Sequence, residues 1–354
     1  MNKKFWLAIG LVSLLVSSPG YALSSDNHTL YDCIRNSACK NVLSVGHRGT
    51  IIWGPENTID AFNAAIGMGA DAVEMDVRNT KDGVLILMHD DTLDRTTNCS
   101  GSISQKTFDE IKDCKVFPIQ PGIQSAEIPT FSKALNELNG KTVIDLHLNT
   151  ALIGQVAEEI KAAGMQDQVM VLTSSKALAE LYAKNDFAVL ALAETYSNVL
   201  EFLDMTTKPV AIEVDVELLP LVQKLVHSSG SRLFVDALGA CDLIGENCYR
   251  KLVLSGADII QTDNLPKLVP FLETKANLST ECLLNWAESI YPNLFAPSGA
   301  VSQFLSPYTY RYYSATNTYL GVSSFDDLVY YLDANGKLQD VGPLSFWLPI
   351  AGCL

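Results

Sequence analysis

The sequence has little positive charge and, beyond its first residues, no long apolar run. It has 25 basic against 40 acidic side chains, so binding nucleic acid by neutralising phosphates is a poor first hypothesis. Only 18% of the residues are charged and 48% are hydrophobic, which excludes a disordered chain. Its 354 residues are enough for one large domain or two.

The amino-terminal residues have the composition of a targeting segment. Lys3 and Lys4 precede an apolar run, 5–16, and small residues follow at 20–22. This pattern predicts a secretory signal peptide over 1–22 and a secreted or periplasmic protein that begins with a short segment, 23–40. The run is shorter than the ~20 residues that span a bilayer, and no other stretch is longer, so we expect no transmembrane segment.

None of the eight cysteines is spaced as C-x-x-C, which argues against a zinc or thiol redox site. All eight follow residue 22, as expected for disulfide bonds in an oxidising compartment. The sequence leaves the pairing open. The simplest hypothesis joins sequential neighbours, namely 33–39, 99–114, 241–248 and 282–353.

Short apolar runs alternate with amphipathic segments over residues 41–275, which predicts strands alternating with helices around a parallel sheet. Eight such units in about 235 residues have the size of a (β/α)8 TIM barrel, and a doubly wound sheet is the alternative. The predicted strands are 43–46, 72–78 (extended by 85–89), 142–148, 169–173, 188–193, 211–215, 233–237 and 258–262. The predicted helices are 58–68, 131–138, 152–163, 176–184, 199–205, 219–227 and 266–273.

Two segments depart from this alternation. Residues 91–129 lack a clear period, so we predict an insertion after the second strand, over the C-terminal face of the barrel. Residues 276–354 are rich in aromatics and predict a small α+β module. Its predicted elements are a helix at 281–290 and two hairpins, 308–313 with 319–322 and 329–332 with 338–341. The aromatics of this module either form its own core or bind a surface or partner.

Histidines and acids gather near the ends of the first predicted strands. His47, His89 and His147 each lie at a strand end, where polar side chains of a barrel face the mouth. Glu74 and Asp76 are two apart on one strand and therefore share a face. Each residue alone has an ordinary alternative as a polar group at a strand end. Their coincidence on three strands favours a functional site.

The carboxylates predict a metal site. Two buried like charges about 6–7 Å apart are costly without a nearby cation. Asp145, on the next strand, would complete a set of three carboxylates with Glu74 and Asp76. Oxygen ligands of this kind favour one Mg²⁺ or Ca²⁺ ion over Zn²⁺.

Motifs in this region resemble those of the glycerophosphodiester phosphodiesterase family. They occur in the family's order over about two thirds of the chain: HRG at 47–49, PENT at 55–58, GADAVEMDV at 69–77, TKDG at 80–83, HDDTLDRTT at 89–97, IPTF at 128–131 and SGADIIQTDNLP at 255–266. The resemblance implies that His47 and His89 are the general acid and base, in an order left open. It also implies that Glu74 and Asp76 hold a divalent metal ion and that the insertion covers the active site.

The resemblance further implies that Arg48 binds the phosphate, with Glu56 and Asn57 supporting the same mouth. On the third strand the sequence departs from the family. The family usually has Glu-x-Lys there, a metal ligand and a phosphate-binding cation, where this chain has Asp145 and His147. His147 would take the place of the phosphate-binding lysine without its permanent charge. Asp is also found at this place in the related sphingomyelinase D-like phospholipases, which lack the PENT segment and the insertion.

Three functions follow for this sequence. The first is a secreted metal-dependent hydrolase of lipid and glycerol metabolism that converts glycerophosphodiesters to glycerol 3-phosphate and an alcohol. The second is a phospholipase D-like enzyme that acts on lysophospholipids or sphingomyelin and forms a cyclic phosphate. The third is an inactive barrel with a surface-binding tail, which the retention of both histidines and the acidic pair disfavours. In the first two cases the partner is a small-molecule or lipid phosphodiester.

Overall fold

The computed structural model describes residues 33–34, 42–274 and 287, and five strands between 300 and 343. Within 42–274 the strands are β1 (Leu43–Gly46), β2 (Ala72–Asn79), β3 (Leu85–Leu87), β4 (Lys115–Val116), β5 (Ala126–Glu127), β6 (Val143–Leu148), β7 (Val169–Thr173), β8 (Ala188–Ala193), β9 (Ala211–Val214), β10 (Arg232–Asp236) and β11 (Ile259–Thr262). The parallel strands β1, β2 and β6 to β11 close a barrel, because β1 pairs with both β11 and β2. The predicted TIM barrel is confirmed.

Most helices follow barrel strands and pack against their outer faces, and one short helix, at 108–111, lies in the insertion. They are α1 (Ile59–Gly67), α2 (Phe108–Ile111), α3 (Phe131–Leu138), α4 (Ile153–Ala162), α5 (Lys176–Lys184), α6 (Tyr196–Leu203), α7 (Leu219–Ser229), α8 (Ala240–Ile244), α9 (Glu246–Leu254) and α10 (Leu265–Thr274). Hydroxyl side chains begin several of them, as at Thr58, whose Oγ1 accepts from the Ala61 N–H at 3.3 Å. None of the described helices combines the length and apolar composition that crossing a membrane requires.

The sequence analysis does not predict α8 and α9. Gly245 separates them with a φ of +74°, and Leu243 and Ile244 are 84% and 62% exposed. Helix α8 therefore lacks the apolar stripe by which an amphipathic helix is recognised, whereas α9 buries Tyr249 and Leu252. A disulfide bond between Cys241 and Cys248 joins the two helices.

The interior of the barrel changes character along its axis. Inward positions alternate along each strand, and the first of them form an apolar floor with Cys33 and Ile34. The strand residues of this floor are Leu43, Val45, Ala72, Val143, Met170, Ala188, Leu190, Ala211, Phe234 and Ile259. The next inward positions on the same strands carry acids, including Glu74, Asp145 and Glu213. Since the carboxyl ends of barrel strands form the mouth, the charged layer lies on that side.

The insertion is a compact unit at the mouth. Its strands β4 and β5 pair antiparallel, and a disulfide bond joins Cys99 to Cys114. A separate apolar cluster forms its core, with Leu93, Ile103 and Ile111 fully or almost fully buried. This internal core explains why the segment lacks the period of a helix or strand that packs on the barrel.

The carboxyl-terminal strands form one antiparallel sheet. They are β12 (Ala300–Leu305), β13 (Tyr308–Tyr313), β14 (Thr318–Ser323), β15 (Leu328–Leu332) and β16 (Leu338–Pro343). The pairings β13–β14 and β15–β16 agree with the two predicted hairpins. The predicted signal peptide and the predicted helix at 281–290 lie outside the described residues, apart from the helical residue Ala287.

Two of the four predicted disulfide bonds are confirmed, 99–114 and 241–248. Cys33 is also disulfide-bonded. Its predicted partner Cys39 and the predicted pair 282–353 lie outside the described residues.

Candidate active site

The loop after β1 reaches the mouth through an unusual backbone turn. Arg48 and Asn57 have φ angles of +50° and +57°, in a region that residues other than glycine seldom adopt. Between them, Gly49 has a φ of +83°, and a Cβ there would lie 2.7 Å from the carbonyl carbon of Ala61. Only glycine lets this loop lie so close to α1. The turn points the Arg48 N–H at Oε2 of Glu74, 2.7 Å away.

The strand register brings the predicted metal-binding residues side by side. Glu74 and Asp76 on β2 lie directly opposite Asp145 and His147 on β6. The side chains of Glu74, Asp76 and Asp145 are at most 3% exposed. Burial of three carboxylates in one layer requires nearby positive charge.

A possible metal-binding group consists of Glu74, Asp76 and His147, whose ligand atoms all lie within 4.8 Å of one another. Asp145, the third carboxylate of the predicted set, is not in this group. Its Oδ2 lies 3.5 Å from Nε2 of His147, and within the described part of the chain neither of its oxygens has a hydrogen-bond partner. The donor set of two carboxylates and an imidazole, with unpartnered buried atoms behind it, fits a divalent cation.

The pKa values of side chains in this layer are shifted because the charged groups are buried and close together. Burial raises the pKa of Glu74 to about 7, although the charge of His147 lowers it and that of Asp76 raises it further. Burial lowers the pKa of His147, but the charges of Glu74 and Asp145 outweigh burial and hold it well above its usual value. Without a cation, the surrounding acids thus favour the protonated form of His147.

Asn57 holds one of these carboxylates in place. Its Nδ2 donates to Oδ2 of Asp76 at 2.9 Å, and its Oδ1 accepts from the Asp76 N–H at 3.0 Å. The Arg48 Nε lies 3.6 Å from the same Oδ2. Asn57 therefore supports the mouth by fixing Asp76.

Each predicted catalytic histidine is paired with a carboxylate. Nδ1 of His47 is 2.8 Å from Oδ1 of Asp263, and Nδ1 of His89 is 2.7 Å from Oδ1 of Asp90. When Nδ1–H donates to the carboxylate, Nε2 is left as the nitrogen that can exchange a proton with a ligand. Asp90 and Asp263 lie within the family motifs, but sequence analysis gives them no role.

Arg95, from the insertion, connects the second histidine to the loop after β1. Its guanidinium donates two hydrogen bonds to Asp90, at 2.6 and 2.9 Å, and two to Glu56, at 2.7 and 2.8 Å. Glu56 also accepts from Nη1 of Arg48 at 3.0 Å. The hydrogen bonds from Arg95 hold the pKa of Asp90 well below its usual range, so Asp90 stays ionised beside His89. Arg95, like Asp90 and Asp263, was given no role from the sequence.

Two further acids lie in the barrel near this layer. Burial holds the pKa of Glu213 well above its usual value, and burial also raises the pKa of Asp236 to about 6. Asp236 accepts from Nε2 of Gln261 at 2.8 Å. Both acids lie at inward-facing positions of predicted strands. Because every second residue of a strand faces the same side, this alternation is the sequence signal that identifies them.

The sequence is similar to proteins of known family. A model of the glycerophosphoryl diester phosphodiesterase family matches residues 47–238, which is more than half of the chain. A glycerophosphodiester phosphodiesterase of Caldanaerobacter subterraneus subsp. tengcongensis is 32% identical over 142 residues, covering 36% of this chain and 56% of that protein. The chain spans about half the length of the curated relatives it matches.

Solved structures share the fold over two thirds of the chain. A glycerophosphoryl diester phosphodiesterase from Parabacteroides distasonis matches with a TM-score of 0.61 at 27% identity, covering 69% of this chain and 92% of that one. A phosphodiesterase from Oleispira antarctica, solved with the product sn-glycerol-3-phosphate, has a TM-score of 0.53 at 21% identity. That match covers 67% of this chain and 99% of the other. At this identity the second likeness shows the fold alone.

Proposed function

Because the chain belongs to the glycerophosphoryl diester phosphodiesterase family, we propose that it hydrolyses glycerophosphodiesters to glycerol 3-phosphate and an alcohol. The observation that carries this proposal is the convergence at one barrel mouth of two carboxylate-paired histidines, His47 and His89, with a buried group that fits a divalent cation. A phosphodiester needs both parts, since charge develops on its oxygens while one oxygen gains a proton and another loses one.

Arg48 and the cation site would bind the phosphate. A divalent cation held by Glu74, Asp76 and a donor from β6 would neutralise phosphoryl oxygens and activate a bound nucleophile. With oxygen ligands alone the ion would be Mg²⁺ or Ca²⁺, as the sequence predicts. Glu56 fixes the Arg48 guanidinium, so the cationic side chain is oriented before substrate arrives.

The two histidines would share the proton transfers, and we assign the acid role to His47. Burial lowers the pKa of His47, but its hydrogen bond to Asp263 and the charge of Glu74 give a net rise. A protonated His47 can donate its Nε2 proton to the leaving alkoxide. His89 would then accept the proton of the nucleophile from the other side. The hydrogen bonds from Arg95 hold Asp90, which in turn positions the ring of His89.

The product distinguishes this reaction from the phospholipase D-like alternative. That alternative is suggested by Asp145 and by the absence of the lysine that is usual in the family motif. We expect phosphorus NMR of glycerophosphocholine treated with the protein to show the phosphomonoester resonance of glycerol 3-phosphate. Lysophosphatidylcholine in a parallel tube tests the alternative. A cyclic phosphate resonance from it, with no turnover of glycerophosphocholine, would replace the proposed reaction.

The protein is further proposed to act outside the cytoplasm. The composition of residues 1–22 supports this, and so do the disulfide bonds 99–114 and 241–248, which persist in oxidising compartments. Fractionation of expressing cells checks it. Full-length protein is expected in the periplasm or medium, and protein lacking 1–22 is expected in the cytoplasm.

Residues 276–354 are proposed to bind a surface or partner apart from the active site. Their aromatic composition and the antiparallel strands among them support such a role. Deletion of 276–354 is expected to leave turnover unchanged while retention on cell surfaces is lost. Loss of turnover in a folded deletion variant would instead assign the module to the enzyme.

A further inference from the structure

We infer that His147 is a nitrogen ligand of the divalent cation, in place of a third carboxylate, and that the site therefore prefers Mn²⁺ or Zn²⁺ to Mg²⁺ or Ca²⁺. The inference rests on the proposed function, because the cation is the one that hydrolysis would use. It replaces the sequence expectation of an all-oxygen site, and it gives the altered third-strand motif a purpose.

The spacing of one donor pair, from His147 and Glu74, fits a shared ion. Nδ1 of His147 lies 3.4 Å from Oε1 of Glu74, which is longer than an ordinary N–H···O hydrogen bond. Two donor atoms that bind the same ion at about 2.1 Å are separated by a distance that depends on the donor–ion–donor angle. For angles between a right angle and the tetrahedral angle, that distance is about 3.0–3.4 Å. Asp76 completes the group of donors within 4.8 Å.

The surroundings of His147 assign its two nitrogens. Nε2 faces Oδ2 of Asp145 at 3.5 Å, and neither atom has a hydrogen-bond partner among the described residues. A metal-binding imidazole generally donates its second N–H to a carboxylate, which fixes the ring and its tautomer. Nδ1, which faces Glu74, is then the ligand, and Asp145 is a positioning residue that would accept from Nε2 once the two atoms move a few tenths of an ångström closer.

The mixed donor set changes which ion is preferred. Mg²⁺ and Ca²⁺ bind oxygen ligands almost exclusively, whereas an imidazole with two carboxylates suits Mn²⁺, Co²⁺ and Zn²⁺. Lysine, the usual residue of the family at position 147, cannot act as a ligand while it is charged. Exchange of that lysine for His147 therefore adds a donor where the family has only a positive charge.

Metal binding by the full-length, metal-free protein tests the inference. We expect calorimetric titration to show Mn²⁺ and Zn²⁺ binding at least tenfold more tightly than Mg²⁺. His147→Gln is expected to weaken Mn²⁺ binding tenfold or more and to change Mg²⁺ binding less. His227→Gln is the matched control, because His227 pairs with Asp258 at the other end of the barrel, and it should leave Mn²⁺ binding unchanged.

Pulsed electron paramagnetic resonance of the Mn²⁺-loaded protein identifies the ligand. We expect a nitrogen coupling of the imidazole that His147→Gln abolishes, with the circular dichroism spectrum unchanged. Asp145→Asn should keep the coupling and weaken Mn²⁺ binding about 10- to 100-fold, as loss of a supporting carboxylate does. Retention of the coupling and of the metal preference in His147→Gln would overturn the inference.

Failure of this inference is separable from failure of the proposed function. Turnover of glycerophosphocholine with Mg²⁺ alone, and no nitrogen coupling, would overturn the role of His147 and leave hydrolysis standing. Binding of Mn²⁺ through His147, without turnover of any glycerophosphodiester, would support the ligand assignment and overturn the proposed reaction.

Discussion

The two ends of the barrel differ in the hydrogen-bond partners of their buried charged groups. At the floor, Arg232 is buried and donates to the carbonyl oxygen of Cys33 at 2.7 Å. Beside it, Asp258 accepts from the Leu233 N–H and from His227, both at 2.7 Å. At the mouth, by contrast, several buried side-chain atoms lack a hydrogen-bond partner within the described residues. They belong to Arg48, Asp145, His147 and Glu213.

This difference separates stability from function. A buried polar group without a partner costs about 1–3 kcal/mol, so the mouth is less stable than its burial alone would suggest. At the floor, Arg232 and Asp258 already have protein partners, and Arg232 anchors the segment at Cys33. Groups left incomplete at the mouth are available for a cation and a phosphate, as expected of a site that completes its bonding with ligand.

The largest expected effect is the loss of kcat when either histidine of the mouth, His47 or His89, is removed. His47→Ala and His89→Ala are each expected to lower kcat on glycerophosphocholine by about 10²- to 10⁴-fold, since each removes a proton-transfer group. The matched control is His227→Ala, which removes a histidine–carboxylate pair at the floor. It should lower the melting temperature and leave kcat of the folded protein intact. Equal loss of kcat in all three variants would erase the distinction between the two ends.

Arg95 tests whether the insertion positions the mouth. Arg95→Gln removes four hydrogen bonds that connect Asp90 to Glu56, and misplacement of a catalytic group by about 1 Å can cost 10²-fold in rate. We expect kcat to fall by up to about 10²-fold with KM changed less. Arg95→Lys should recover little, because an ammonium cannot reproduce the fork of a guanidinium. Full activity in Arg95→Gln would show that the network is only structural.

Arg232 tests whether the floor contributes to stability and not to catalysis. Arg232→Met is expected to lower the free energy of unfolding by about 2–3 kcal/mol, because it removes a charged hydrogen bond to a buried carbonyl. Urea denaturation measures that loss, and kcat of the native protein should not change. A fall in kcat without a change in stability would contradict the assignment of this end to folding.

The smallest expected effect is a change in pH dependence. Burial lowers the pKa of His47, and the hydrogen bond to Asp263 with the charge of Glu74 outweighs it, so the folded pKa is raised. Because the pKa of His47 is higher in the folded than in the unfolded protein, its protonation stabilises the fold. This stabilisation is fully present at pH values below 6.5, the pKa in the unfolded chain, and is lost as the pH rises through the folded pKa.

Asp263→Asn should therefore lower the pKa of His47 and move the alkaline limb of kcat/KM to lower pH. Asp258→Asn, at the floor, is the control that should leave the limb in place. A shift of the acidic limb to lower pH in Asp263→Asn, with the alkaline limb in place, would make His47 the base and reverse the assignment.

The fold was predictable because local pattern and tertiary role coincide. Each barrel strand is a short apolar run, and the helices between strands carry an apolar stripe. Helix α8 was not predicted because it has only five residues and its Leu243 and Ile244 face solvent. The register of β2 against β6 then followed from the barrel and brought Glu74 opposite Asp145.

The site was predictable as a set of residues and less so as a set of contacts. Asp263 lies 216 positions from His47, and Arg95 lies 39 from Glu56, so neither pairing leaves a local signal. Asp145 and His147 share an inward face, and two-residue spacing alone cannot say which of them reaches Glu74 and Asp76. In the structure His147 lies opposite Asp76, and it is the imidazole that groups with Glu74 and Asp76.

The release of glycerol 3-phosphate from glycerophosphocholine tests the central claim most directly. The account predicts that chelation of the purified protein abolishes this release and that return of a divalent cation restores it. Folded, metal-loaded protein that releases no glycerol 3-phosphate, or chelated protein that releases it at the full rate, would contradict the account.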